Sequence, residues 1–453
     1  MKPSKPILRR RLAMLLGGAL WAAVSAGPAA AEPAAPVPAA ADPDVVRRLT
    51  ERVDHQDEEI HQLKAMLLQK GNAPAAAPAV ADDVKQRLDA HDAEINKIKT
   101  EIVDSAAAET ATIFPSLQFH GFADINYHAG TQKADKNAFA LGEFDLFFTS
   151  QLAPDLGLLS ETVIAADDHN HFGIDIERLV LQYHPSEYFN VDVGRYHTAI
   201  GYYNTAYHHG SWFQTAVGRP QYLSYEDAGG IIPVHSVGAS FHGAIPSGKL
   251  GLNYYVEVGN GRQYQPPGSD RNAVANIAED NAYKAVNLAL TARPEGLPGL
   301  QFGAGVYHDT LSPAGVPRTD EIMIHGHLVY KNADWEFLSE GLAIHHSPRG
   351  MSDTWSEAGF VQVARKFGKV TPYARFSYFN AADADPIYQL IAQAGRHYGP
   401  AVGIRYDFST FAALKVQYDY VVHHGTSVDP GPTFSPIPAG SFSRVTVQLS
   451  FTF

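Results

Sequence analysis

The final residues of the chain, from Ser443 to Phe453, alternate strictly. Val445, Val447, Leu449, Phe451 and Phe453 fall on one face of an extended strand, and Arg444, Thr446, Gln448, Ser450 and Thr452 fall on the other. The same period runs back to Leu117. Leu117, Phe119, Ala123, Ile125 and Tyr127 oppose Gln118, His120, Asp124 and Asn126; Leu250, Leu252, Tyr254, Val256 and Val258 oppose Asn253 and Glu257; Ile322, Ile324, Leu328 and Tyr330 oppose Glu321, His325 and His327. A soluble barrel turns its apolar face inward and has no room there for so many charges. The apolar face must therefore be the outside, set in lipid, with a wet lumen behind it. A one-residue slip of the last strand would carry Arg444 and Gln448 into the bilayer, so register and burial have a single cause.

The expected fold is all-β, a transmembrane antiparallel β-barrel of about 16 strands over residues 113–453. Short turns are expected at 154–157, 184–188, 246–249, 293–299, 331–334, 367–369 and 409–410. Long loops are expected at 128–138, 167–173, 198–233, 260–281, 309–319, 346–353, 381–398 and 423–442. Such alternation gives an even strand number and puts both ends of the barrel on the periplasmic side.

A different pattern precedes the barrel. Lys2, Lys5, Arg9, Arg10 and Arg11 stand before an apolar run from Leu12 to Val24, and Ala29, Ala30 and Ala31 offer small residues for cleavage. Residues 1–31 read as a secretory signal peptide, since the run is about 13 residues against the roughly 20 a spanning helix needs. In residues 32–112, Val46, Leu49, Val53, Gln56, Ile60, Leu63 and Leu67 follow the alternating three-and-four spacing of a coiled-coil seam. After a Pro/Ala-rich break at 71–81, Val84, Leu88, His91, Ile95, Ile98 and Ile102 resume it. The segment is expected to be a short periplasmic α-helical coiled coil that self-associates; a single amphipathic helix on the barrel is the alternative. Removing the signal makes the net charge of −13 more negative still, which argues against nucleic acid as a partner. With no cysteine, no disulfide holds the exported fold.

The order of signal peptide, periplasmic coiled coil and barrel ending in Phe453 resembles the phosphate-selective porin family and its trimeric relatives. Thr371-Pro372-Tyr373-Ala374-Arg375-Phe376 and Gly403-Ile404-Arg405-Tyr406-Asp407-Phe408 are its local motifs here, and the terminal Phe resembles the assembly signal of bacterial outer-membrane barrels. The resemblance implies a homotrimeric channel in the bacterial outer membrane, with the amino-terminal segment in the periplasm. It does not imply phosphate as cargo. Phosphate-selecting members are expected to cluster basic residues on a constriction loop and to carry an arginine ladder, whereas the loop here offers Arg219 alone.

That loop, 198–233, is the longest, and its aromatic residues would be exposed together if it stood in solvent. It is expected to fold inward as the constriction, with Tyr202, Tyr203, Tyr207, His208, His209, Trp212, Arg219, Glu226 and Asp227 as candidate solute contacts. A packed lid or a subunit contact is the alternative. Across the lumen, Arg375, Arg405, Lys415 and Arg444 lie on inward faces and form a candidate basic wall, with Tyr373, Asp407 and Asp419 lining the pore beside them. Glu226 and Asp227 opposite would complete a transverse field that orients charged or dipolar solutes. Ordinary ion pairing of the cations with Asp407 and Asp419 is the competing reading.

Paired histidines, His169 with His171, His208 with His209, His345 with His346 and His423 with His424, fall in or beside loops. Adjacent histidines of extended chain point oppositely and do not of themselves make a metal site, since ligands must converge from several loops, and no metal or cofactor is expected. No G-x-S-x-G or H-E-x-x-H pattern occurs, and the chain is expected not to be an enzyme. The expected function is passive diffusion of small hydrophilic solutes, with small anionic or dipolar solutes favoured. The alternative is a structural protein that tethers the outer-membrane lipid to the cell wall through the coiled coil.

Overall fold

The computed structural model describes residues 115–131, 137–166, 171–207, 210–223, 231–264, 274–390, 394–425, 427–428, 436–437 and 439–453. The expected signal peptide and coiled coil lie outside the described residues.

The strands are β1 (Ser116–Gly130), β2 (Ala138–Ala153), β3 (Leu156–Ala166), β4 (Phe172–Tyr183), β5 (Asn190–His197), β6 (His235–Ile245), β7 (Leu252–Asn260), β8 (Gln263–Tyr264), β9 (Val274–Ala275), β10 (Lys284–Ala292), β11 (Leu300–Leu311), β12 (Thr319–Lys331), β13 (Trp335–Pro348), β14 (Thr354–Arg365), β15 (Val370–Ala381), β16 (Gly395–Asp407), β17 (Ala412–Gly425), β18 (Ser427–Val428), β19 (Pro436–Ile437) and β20 (Gly440–Thr452). β8 pairs with β9 and β18 with β19 as small hairpins within loops; the other sixteen close one antiparallel barrel. Two five-residue helices, α1 (Tyr203–Tyr207) and α2 (Pro386–Leu390), sit in loops. Connections alternate only in part as expected: those after β5, β7, β15 and β17 are long, but those after β1, β3, β11 and β13 are no longer than the turn between β10 and β11.

Closure is made by β1 and β20, which pair from Phe122 opposite Thr452 to Gly130 opposite Arg444. Below that ladder, Gly121 and Phe453 exchange backbone hydrogen bonds of 3.0 and 3.1 Å. The Phe453 ring stacks on Phe144 at 5.6 Å and leans on Phe119 at 6.2 Å. A Cβ at position 121 would run into that ring, which is why the seat is a glycine.

On the outer surface, apolar side chains recur at two-residue spacing: Leu179 and Leu181, Leu288 and Leu290, Val402 and Ile404, Val416 and Tyr418 are all exposed. A belt of this extent cannot face water without cost and suits the hydrocarbon of a bilayer. The inward face does not follow the expectation of a uniformly polar, wet lumen. On β12 to β15, Met323, Val329, Leu338, Leu342, Ile344, Phe360 and Phe379 point inward and are buried in one cluster with the loop residues Ile200, Tyr203, Tyr207, Tyr222 and Leu223. Alternation sorts side chains by face but does not say what the inner face meets. Here one sector of wall meets an infolded loop, and apolar contact excludes the water expected there.

Placing a cation in the belt tests this orientation. Val416→Arg should lower the unfolding free energy in lipid vesicles by about 2–4 kcal/mol if the residue sits near the bilayer midplane. Urea titration followed by tryptophan fluorescence would measure it.

Candidate functional site

The loop 198–234 leaves β5 and enters β6 through a narrow neck. Thr198 N donates to Val234 O at 3.0 Å, the Thr198 hydroxyl donates to Pro233 O, and the Asn204 amide spans the neck by donating to Thr198 O at 2.8 Å and Val234 O at 3.0 Å. A loop held this way must still satisfy its own backbone groups inside the barrel. Wall side chains do so. Ala199 N donates to both carboxylate oxygens of Glu257 at 3.1 Å, and Gly201 N to His325 Nδ1 at 3.2 Å. Glu340 on β13 accepts from Tyr202 N at 3.0 Å, from Tyr203 N, and from the Tyr222 hydroxyl at 3.1 Å, so one buried carboxylate fixes the start of α1 and the returning limb together.

Farther along, the loop crosses the lumen to the opposite wall. Lys415 donates to Ser211 O and, at 3.0 Å, to the Gln448 amide oxygen. Arg405 donates to Trp212 O at 2.6 Å and Gln214 O at 3.0 Å, with its guanidinium 4.9 Å from the Trp212 ring centre. Arg375 donates to Gly218 O at 2.9 Å and Val217 O at 3.1 Å. Val217 N donates to Gln417 Oε1 at 2.9 Å and the Tyr373 hydroxyl at 3.3 Å. The tip reaches β1, where Phe213 meets Phe122 edge to face at 4.8 Å.

The inward loop and the basic wall are thus brought together as partners. Arg375, Arg405 and Lys415 spend their donors on loop carbonyls, and Lys415 is fully buried. Of the proposed ion pairs, Arg405 with Asp407 forms at 2.8 Å, while Asp419 accepts from the Gln417 amide at 2.9 and 3.0 Å and faces Arg444 across the β17–β20 ladder. Tyr202 packs against Tyr207 and His327, and Tyr207 also takes a hydrogen bond from Lys331. Burial pushes the phenols of Tyr203, Tyr207 and Tyr222 up, so they remain neutral. Arg219 is half-buried, close enough for its charge to act on Tyr203. His208, His209, Glu226 and Asp227 lie outside the described residues.

A second set of contacts, not read from the sequence, ties other loops to the wall. Arg262, after β7, is fully buried; it donates to Ile231 O at 3.0 Å and pairs with Glu321, while its own N–H donates to Asp309 at 3.0 Å. His346 stands between Glu321 and Asp385, 2.7 Å from each. Asp385 also accepts from Ile387 N at 2.9 Å and Tyr388 N at 3.2 Å, which starts α2. Although burial disfavours its charge, the His346 hydrogen bond and charge, with the Thr354 hydroxyl and the Tyr388 N–H, together hold its carboxyl below the ordinary value. His345 of the His345–His346 pair points elsewhere, with Nε2 3.3 Å from Asp353.

No family model matches the chain, and no curated protein matches it. Solved structures do. An anion-selective porin from Comamonas acidovorans aligns with a TM-score of 0.53 at 13% identity, over 75% of this chain and 100% of that one. The barrel fold is the porin fold. An in-vitro folded OmpT of Vibrio cholerae, in a trimer form, aligns at 0.50 and 13% identity over 75% and 99% of the two chains. The outer membrane channel DcaP of Acinetobacter baumannii aligns at 0.50 and 12% over 75% and 97%.

Two outcomes follow from these anchors. Glu340→Ala strips partners from three loop donors, each worth about 1–3 kcal/mol when buried and left unpaired; limited proteolysis should then cut within 198–234 faster than in the parent. Because Asp385 has its carboxyl value depressed on folding, its contribution is complete at neutral pH and is lost only as pH falls through a value below 3.8. An acid-active protease should therefore spare loop 382–394 at pH 5 and cut it increasingly fast as pH is taken down below 3.8, while Asp385→Asn should already be cut at pH 5.

Proposed function

We propose that the protein is a passive channel of the bacterial outer membrane, admitting small hydrophilic solutes to the periplasm past a constriction made by loop 198–234. The observation that carries this reading is the seating of that loop inside a closed barrel, hydrogen-bonded to wall residues from β7 to β17. A barrel serving only as a tether has no need to hold a loop across its lumen.

The channel favours small anionic or dipolar solutes. Arg375 donates to neutral carbonyl oxygens, which orient its guanidinium without cancelling its charge; among the described residues only Arg405 of the three basic side chains pairs directly with a carboxylate. In a lumen of low dielectric the residual positive potential acts on whatever passes. The anion-selective Comamonas acidovorans porin and the trimer form of the Vibrio cholerae protein share the barrel. We infer a homotrimer in outer-membrane lipid, with the periplasmic segment as a further association element.

Planar-bilayer recording of the refolded protein tests this. Openings should occur in multiples of three, and the reversal potential in a KCl gradient should carry the sign of anion preference. Arg375→Gln with Arg405→Gln should move that potential toward zero and raise conductance, because the loop loses its seat. A folded barrel without conductance would overturn the channel, and a reversal potential of cation sign would overturn the selectivity.

A further inference from the structure

At the turn end of the barrel, remote from the loop anchors on β15 to β17, three side chains converge from neighbouring segments. His184 immediately follows β4, Asp192 lies on β5 and His242 on β6. His184 Nε2 stands 2.8 Å from Asp192 Oδ1 and His242 Nε2 3.5 Å from Asp192 Oδ2. One ligand atom from each residue lies within 4.8 Å of the other two. Register explains the meeting. Asn190 faces His242 and Asp192 faces Ser240, so Asp192 and His242 are diagonal neighbours on one face of the β5–β6 ladder. Ser240 on that face donates to Glu257, the carboxylate that also receives Ala199 N of the loop, so the face is the lumen's.

We propose that His184, Asp192 and His242 form a binding site for a divalent transition metal of the zinc class at the turn-side mouth of the lumen. Two imidazoles and one carboxylate are a ligand set such ions take, and three protein ligands leave a further position for water or a passing solute. A single His–Asp hydrogen bond would account for one carboxylate oxygen. Here each oxygen has its own imidazole, and both rings present Nε2. The segments are held in place: the His242 ring is stacked on Tyr255 at 5.8 Å and 22°, and His184 N donates to Asp155 O at 2.9 Å. Tetrahedral ligand bonds of about 2.0–2.2 Å set donor atoms about 3.3–3.6 Å apart, so side-chain rotation must open the 2.8 Å contact of His184 with Asp192 and close the widest separation. The site is open to entry, since the His184 side chain is 40% exposed. A bound ion would join the bases of β4, β5 and β6 beside the mouth of the lumen.

The test is calorimetric titration of Zn2+ into the refolded, untagged barrel in detergent at pH 7.5, beside the His184→Ala/His242→Ala double variant. The chain has 21 histidines, so the difference between the proteins decides, not the parent's binding alone. The parent should bind one equivalent that the double variant lacks, or binds at least tenfold more weakly. His184→Gln, at an exposed turn position, should show the same loss and guards against a packing defect from removing His242. Equal stoichiometry and affinity in parent and variants, or no binding by the parent at micromolar Zn2+, would overturn the site.

Discussion

A sheet in hydrocarbon can leave no edge, because lipid offers no partner to a backbone N–H or C=O. The β1–β20 ladder is the contact that meets this demand, and everything else in the molecule follows from closing there. Closure fixes the order of the strands and, through the two-residue period, which side chains face lipid and which face the lumen. It also explains the effort spent on the last residue. Phe453 has backbone bonds to Gly121 and aromatic neighbours on two strands, so the end of β20 is pinned rather than frayed.

A closed barrel creates a second problem, the interior. The loop 198–234 solves part of it by entering, but a loop brings unpaired backbone groups wherever it goes. Its N–H groups find carboxylates, Glu257 and Glu340, and its carbonyls find cations, Arg375, Arg405 and Lys415. The division is mainly electrostatic: acids on one wall meet the N–H groups of Ala199, Tyr202 and Tyr203, basic side chains on the other meet carbonyls, and neutral groups of His325, Gln417 and Tyr373 take the N–H groups of Gly201 and Val217. Buried charge is expensive unless hydrogen-bonded, so these residues are tolerable inside only because the loop is there, and the loop is stable there only because of them.

The strands, their connections and the infolding loop were legible in the sequence because alternation and loop length are local properties. The inward positions of Arg375, Arg405 and Lys415 were legible for the same reason. Their partners were not. A period of two places Arg405 on the inner face but cannot say that Trp212 O, far away in the chain, waits there. The apolar inward faces of β12 to β15 broke the expected polar lining because Leu338, Leu342 and Phe360 answer to the loop rather than to water. His346 was noticed only as half of a pair, whereas its chemistry comes from Glu321 and Asp385 on other elements. His184, Asp192 and His242 lie on three segments and form no short motif; the β5–β6 register joins Asp192 to His242, and the β4–β5 pairing, with Gln182 opposite Asp192, brings up His184.

The anchoring of the loop also bears on how such a barrel can be tuned. If the cations that attract a solute are the same groups that hold the constriction, charge and aperture cannot change independently. Neutralising Arg405 would weaken the field, free two loop carbonyls and release Asp407 from its pair at once. Residues whose charge reaches the lumen without a loop contact would escape this coupling. Selectivity can therefore shift with the aperture preserved only through lumenal charge that makes no loop contact.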